Sequence, residues 1–372
     1  MENRIEIAEY FSDLELTKEY NGYFYSVAEV VTIVILGSFC GLKNVCQVQQ
    51  WAANPRISEF LREEYGIVDI PCYYWMLCLM KLVKPASFNK CFINWVLSLL
   101  PEKRNFTLPF DGKTICSTDK MEKYKNPMHI VSAQIAELGI TFGQQTVDGK
   151  SNEIPAVREL LQLLDIRGCI VVADALNCQK ETAKTIILGG ADYLLSVKYN
   201  HLNLKKDIED YVQDDFLRES MDMATKTEKN RDRIEKRTAF VTNDINWLES
   251  KGEWANLACI GAINTQFTTK NGTSDEWHYY ISSRNLTADE LLYHARQEWT
   301  VETMHWLLDV HFGKDFCRVR DENILQNLNI IRKFVINKVK MWKEKTKSKR
   351  PISKILLDCL LDPNNILPFF RN

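Results

Sequence analysis

Near residue 105 the apolar pattern of this chain changes its repeat, and that change limits the fold more than any single residue does. From about Ser26 to Leu100, apolar-rich runs with few glycines follow one another and break at Asn54-Pro55, Ile70-Pro71 and Lys84-Pro85, where proline opposes helix continuation. This stretch predicts an all-helical unit. After the polar junction Lys103 to Asn105, short β-like segments take over: Phe106 to Phe110, His129 to Ala136, Ile140 to Val147, Cys169 to Ala173 and Tyr193 to Val197. Between the third and fourth lies a helix opened by Ser151, Asn152 and Pro155, with Val157, Leu160, Leu161, Leu163 and Leu164 along one side. Strands alternating with helices predict a mixed sheet covered by helices, an α/β fold.

The remaining chain completes the plan. From about Lys205 to Asn271 it is highly charged, with β-like pieces at Arg237 to Val241 and Leu257 to Ile263, and reads as a β-rich insertion. One more strand, His278 to Ser282, precedes helices over about Ala288 to Val310, Glu322 to Lys345 and Ile352 to Leu361. The expected units are therefore residues 1–104, 105–345 with an insertion at 205–271, and a tail at 346–372. At 372 residues a single typical domain is exceeded.

Lys plus Arg (47) nearly cancels Asp plus Glu (49), so net charge gives no support to a nucleic-acid partner and local charge has to decide. The eleven cysteines form no Cys-x-x-Cys pair and read as buried, reduced thiols rather than a zinc site. The start, Met-Glu-Asn-Arg-Ile-Glu, lacks a signal peptide's basic residues and apolar stretch, which predicts a cytoplasmic protein. Val27 to Leu42, the most apolar run, is interrupted by Glu29 and Gly37-Ser38 and falls short of the roughly 20 residues of a membrane span, so no membrane partner is expected.

Two aspartates sit where apolar strands end, in Phe-Thr-Leu-Pro-Phe-Asp111-Gly-Lys and Ile-Val-Val-Ala-Asp174-Ala, and strand ends in such sheets gather ligand and catalytic groups. Either alone is more often a turn or cap residue. On the helix after Ser283, Glu298, Glu302, His305 and Asp309 recur at spacings of four, three and four and share a face. A solvated stripe explains those carboxylates but not Trp299 and Trp306, which flank Glu302. Three carboxylates from two strands and a helix suit a two-metal phosphoryl-transfer site, because hard divalent cations take oxygen ligands.

Six ordered segments carry a resemblance: Asp111-Gly-Lys-Thr114, His129-Ile-Val-Ser-Ala133, Lys150-Ser-Asn-Glu-Ile-Pro155, Ala173-Asp-Ala-Leu-Asn-Cys-Gln179, Gly189 to Asn200, and Trp299-Thr-Val-Glu302 with His305-Trp-Leu-Leu-Asp-Val310. In that order they resemble the H-repeat-associated transposases of bacterial insertion sequences, members of the DDE transposase superfamily. The helical amino-terminal stretch resembles that family's associated domain. The resemblance implies a ribonuclease-H-like core with a β-rich insertion, in which Asp111, Asp174 and Glu302 bind Mg²⁺ (or Mn²⁺). It further implies cleavage and strand transfer at the ends of the chain's own element, with transposon ends and target DNA as partners and a homodimer on DNA. The chain departs from the family at Arg231 and Asp232, in Arg-Asp-Arg-Ile-Glu235, and at Glu298, where the family has a histidine.

For DNA contact the sequence offers a basic run, Arg332 to Arg350, with nine Lys or Arg against Glu344 and with Phe334 and Trp342 interleaved. Lys340 and Lys343 are its representatives; a solvated helix end explains the run equally well. By resemblance Lys113, Lys198, Asn200, Arg233 and Arg237 join them as candidates for strand positioning. Gly143 to Ser151 imitates a phosphate-binding loop but has five residues between its glycines where four are needed. Two other functions remain open on sequence: a metal-dependent nuclease that cuts without joining, and a domesticated or decayed copy that binds DNA without catalysis.

Overall fold

A computed structural model describes residues 10–11, 13–20, 24–102, 104–115, 118, 127–147, 153–230, 233–269, 272–317 and 319–370. Lys150 to Asn152, Arg231 and Asp232, all named above, lie outside the described residues. Among the described residues the named helices of the first part are α1 (Val27–Phe39), α2 (Val45–Ala52), α3 (Pro55–Tyr65), α4 (Tyr73–Leu82) and α5 (Pro85–Ser98). Their starts are written locally. Ser26 and Glu29 form a reciprocal capping box on α1, and Asn54 caps α3 ahead of a first-turn proline, where the absent N–H is no loss. Pro55 and Pro85 therefore open helices rather than merely ending the preceding ones.

The second part runs β1 (Thr107–Thr114), β2 (His129–Ile135), β3 (Ile140–Thr146), α6 (Glu153–Leu163), β4 (Ile170–Ala173), α7 (Lys180–Leu188) and β5 (Asp192–Val197). It continues through α8 (Leu202–Gln213), α9 (Asp215–Glu219), β6 (Asp222–Asn230), β7 (Arg233–Thr242), β8 (Cys259–Thr269) and β9 (Gly272–Ser282). Then come α10 (Ala288–Gln297), α11 (Trp299–Phe312), α12 (Glu322–Thr346) and α13 (Ile352–Leu361). The strand order is β3-β2-β1-β4-β5-β9-β8-β7-β6, with β2 antiparallel to both neighbours and β1, β4 and β5 parallel. The first five strands make the ribonuclease-H-like mixed sheet expected from sequence.

The charged insertion is part of the same ladder. Strand β9 pairs antiparallel with β5, and β8, β7 and β6 follow outward. The sequence reading recognised parts of β7 and β8 and passed over β6, whose Asp-Met-Ala-Thr-Lys-Thr-Glu-Lys-Asn is mostly exposed and lacks apolar alternation.

Alternation divides the sheet's two faces. On one, Val171, Ala173, Leu108 and Phe110 join a core that runs from Phe11 to Phe369 and includes α12, which packs on α1, α4, α5 and β3. On the other, Ile170, Val172, Leu194, Ala239, Val241, Ile263 and Tyr280 pack with Leu291, Leu292 and Ala295 of α10. The candidate site residues follow from that second parity.

Candidate active site

Counting by twos along each strand from the α10 face gives the site. Pro109 leads to Asp111, Val172 to Asp174, Leu194 to Ser196 and Lys198, and Val241 with Ala239 to Arg237, Glu235 and Arg233. Asp111, Asp174, Ser196, Lys198, Arg233, Glu235 and Arg237 line one cavity of about 660 Å³, together with Glu298, Trp299 and Glu302 from the α10–α11 junction. The parallel register of β1 and β4, Pro109 opposite Val172, sets Asp111 beside Asp174 two residues on. Sequence placed Asp111 past a strand end. In the structure β1 runs on to Thr114, and Asp111 pairs in register with Ser132 of β2. A polar second half had disguised the strand's length.

Beneath the two aspartates lies a chain of polar contacts that sequence reasoning quoted as motifs but gave no role. Asp174 Oδ1 accepts from the Asn177 backbone N–H and from its Nδ2, each at 3.1 Å. Asn177 Nδ2 also donates to Glu153 Oε1 at 2.8 Å, Glu153 Oε2 meets His129 Nε2 at 2.9 Å, and His129 Nδ1 meets Thr114 Oγ1 at 3.0 Å. Gly112 makes room for this: a Cβ there would stand 2.2 Å from both Glu153 Oε2 and His129 Nε2. Four of the six motifs thus meet under the site.

The third acid arrives by helix. The expected single helix after Ala288 is two, parted at Glu298, whose carboxyl enters the cavity one turn before the exposed Glu302. Burial, then the charges of Asp174, Asp111 and Glu302, push Glu298 up to about 7 against the pull of Lys198. Asp174 is also raised, by burial first and by Glu153 and Asp111, while its bonds from Asn177 oppose the rise. His305 Nε2 stands 3.4 Å from Asp111 Oδ2, in ion-pair range but outside hydrogen-bond geometry, and burial pushes the ring down to about 4, so it is neutral at pH 7.

Negative charge accumulated in this way is what a divalent cation relieves, and the donor set of hard carboxylate oxygens fits Mg²⁺ or Mn²⁺. Among the described residues no three acidic, histidine or cysteine side chains are gathered tightly enough to hold an ion as they stand. Asp111 is set by β1, Asp174 is held just past β4 by its bonds from Asn177, and Glu302 comes from α11.

Across the cavity stand Lys198, Arg233, Arg237 and Arg296. The other candidate DNA contacts fall elsewhere. Lys113 is paired with Asp309 and lies 3.6 Å from Asp315. Asn200 Nδ2 donates to the Ala175 carbonyl at 2.6 Å, closing the turn after Asp174. Lys340 is half-buried with its ammonium on the Gly139 carbonyl, and desolvation pushes it down to about 8, so that carbonyl already holds it. Arg332 and Lys333 are buried, and Lys338 lies among the rings of Tyr10, Trp95, Phe334 and Phe370. The basic run is therefore core in its first part; Lys343, Lys345, Lys347, Lys349 and Arg350 supply its accessible charge. No helix among the described residues is long and apolar enough to cross a membrane.

A ribonuclease-H-like sheet with one acid on its first strand and another just past its fourth defines a class, and comparison with known proteins narrows it. The family described as Transposase DDE domain matches residues 107–338, and the one described as DDE_Tnp_1-associated matches residues 8–96. The chain belongs to the DDE transposase family. It is similar to the "H repeat-associated putative transposase YhhI" of Escherichia coli (strain K12), 32% identical over 288 residues, 75% of this chain and 76% of that one. It is likewise similar to "Putative transposase YncI" of Escherichia coli O157:H7, 28% identical over 361 residues, 95% of this chain and 92% of that one. Among solved structures, the synaptic complex of piggyBac transposase with hairpin DNA overlays with a TM-score of 0.43 at 10% identity, over 94% of this chain and 75% of that one.

Proposed function

We propose that this chain cuts DNA at the ends of its own insertion sequence and joins the freed ends to target DNA, with Asp111, Asp174 and Glu302 as the catalytic carboxylates. The observation that carries the reading is the cavity itself: three acids from β1, the end of β4 and α11 face a wall of Lys198, Arg233 and Arg237. Mg²⁺ (or Mn²⁺), when bound to those carboxylates, supplies Lewis acidity and balances charge at the scissile phosphate.

The chain's own residues do the rest. Asn177 and the Glu153–His129 pair hold Asp174 and the neighbouring backbone of β1 in place, so the ligand oxygens are set before substrate arrives. Lys198, Arg233 and Arg237 offset phosphate charge and fix the strand's path. In the first step water attacks phosphorus and the P–O3′ bond breaks, freeing a 3′-hydroxyl; in the second that hydroxyl attacks a target phosphorus and displaces its 3′-oxygen. Two ends acting together call for two copies of the chain on DNA.

Asp111→Asn, Asp174→Asn and Glu302→Gln keep shape and remove ligand charge. Each is expected to abolish Mg²⁺-dependent cleavage of duplexes carrying the element's ends while binding stays within about threefold, less than a kcal/mol. Cleavage that survives Asp174→Asn overturns the assignment. Cleavage without joined products in a strand-transfer assay makes the chain a nuclease, and binding without cleavage makes it a decayed copy.

A further inference from the structure

On β7, Arg233, Glu235 and Arg237 stand in a row on the face that carries Asp111 and Asp174, and all three line the cavity. Glu235 is 2% exposed. Its Oε1 accepts from Arg233 Nε at 2.6 Å, and its Oε2 accepts from Arg237 Nη2. Each guanidinium has a second restraint. The Arg233 plane lies over the Phe267 ring, 4.9 Å from its centroid, and Arg237 Nη1 donates to Glu228 Oε2 at 2.8 Å.

A buried carboxylate is a poor choice for a wall whose task is simply to be positive. It lowers the potential that a phosphate meets, and its own desolvation is costly. It is a good choice for a wall whose forks have to point one way, because an arginine already held by a carboxylate loses little further freedom on meeting a phosphate. We propose that Glu235 is a positioning residue, holding the planes of Arg233 and Arg237 so that their remaining N–H groups face a phosphate of DNA in the cavity. This rests on the reading of the cavity as a DNA cleft.

The two views predict opposite signs. If the wall acts through charge alone, Glu235→Gln removes a negative group and tightens DNA binding; if Glu235 positions the forks, the same change weakens it. The measurement is the affinity of the full-length chain for a mixed-sequence DNA duplex in EDTA over a series of KCl concentrations. Glu235→Gln is expected to weaken binding by about tenfold, the size of one charge-assisted hydrogen bond. The plot of log affinity against log salt should become shallower by roughly 0.9 for each phosphate that the arginines no longer neutralise. Wild-type protein that binds with the full slope beside a variant that binds equally or more tightly overturns the positioning role and leaves the DNA reading intact. Wild-type protein without salt-sensitive binding overturns both. Should thermal melting show that Glu235→Gln does not fold, Phe267→Ser at the half-buried ring under Arg233 carries the same test, with a slope shallower by roughly 0.9 expected and an unchanged slope contrary.

Discussion

Lys333 Nζ lies 2.7 Å from Ser132 Oγ in a place without solvent exposure, directly behind the register position that Asp111 occupies. The same nitrogen donates to Gln144 Oε1 at 2.7 Å, so one side chain of α12 ties β2 to β3 under the site. Burial, then the charge of Lys314, holds this ammonium far below the usual lysine range. Between that lowered value and the unfolded value near 10.4 the unfolded chain binds the extra proton, so stability rises with pH across the window. Lys333→Met removes the group and leaves Ser132 short of a partner, costing about 1–3 kcal/mol. Urea unfolding should show the wild type gaining on the variant from neutral pH toward 10; a constant difference would count against a buried, titrating lysine.

Next to Asp111 the chain has Gly112 because any Cβ there strikes Glu153 Oε2 and His129 Nε2 at 2.2 Å. Both neighbours are held by other bonds and cannot withdraw freely. Gly112→Ala is therefore expected to lose about 1–3 kcal/mol of stability, the usual cost of overpacking. A melting temperature equal to wild type would show that the Glu153–His129 contact is slack.

Two groups at the site titrate in opposite senses in metal-free protein. Glu298, raised to about 7 from an unfolded value near 4.5, keeps its proton in the folded state, so its contribution falls as pH rises between those values. His305, lowered to about 4, stays neutral while the unfolded ring gains a proton, so its contribution falls as pH drops from 6.5 to 4. They oppose one another near pH 5.5. Glu298→Gln removes the first, so melting temperatures in EDTA should fall more steeply on acidification than those of wild type. Parallel curves would sink this account of Glu298.

The basic run separates into core and surface. Lys340→Ala leaves the half-buried Gly139 carbonyl without its donor, for a loss of about 1 kcal/mol, and is expected to leave the salt dependence of DNA binding unchanged. Alanine at Lys343, Lys345 and Lys347 should do the reverse, keeping stability and flattening the salt slope by up to roughly 0.9 per residue. A flatter slope for Lys340→Ala would return that residue to the DNA surface.

What could be read in the sequence followed the strength of the local signal. β4 and β5, apolar and bounded by Gly168 and Gly190, are legible to within a residue or two, and α13 to the residue. β1 reads short because Asp-Gly-Lys-Thr looks like a turn; pairing with β2, a long-range term, keeps it extended. β6 carries no apolar alternation and exists because β7 offers it a ladder. The break at Glu298 leaves no Gly or Pro to betray it. Spacing alone put Asp111, Asp174 and Glu302 on candidate elements, but the partnership of Glu153, Asn177 and His129 joins residues distant in the chain, with 24 positions separating His129 from Glu153 and 24 more separating Glu153 from Asn177, and only the folded sheet brings them together.

The nine strands have two ends, and they are guarded differently. At one, β3 is covered by α5, α6 and α12. At the other, β6 pairs with β7 alone among the described residues and turns a free row of peptide groups outward, the kind of edge on which a second chain can add a strand. Lys226, Glu228 and Lys229 sit along it, and charge on an edge strand opposes such addition. A second copy of the chain meeting this edge is therefore kept from adding its own strand there and extending the sheet.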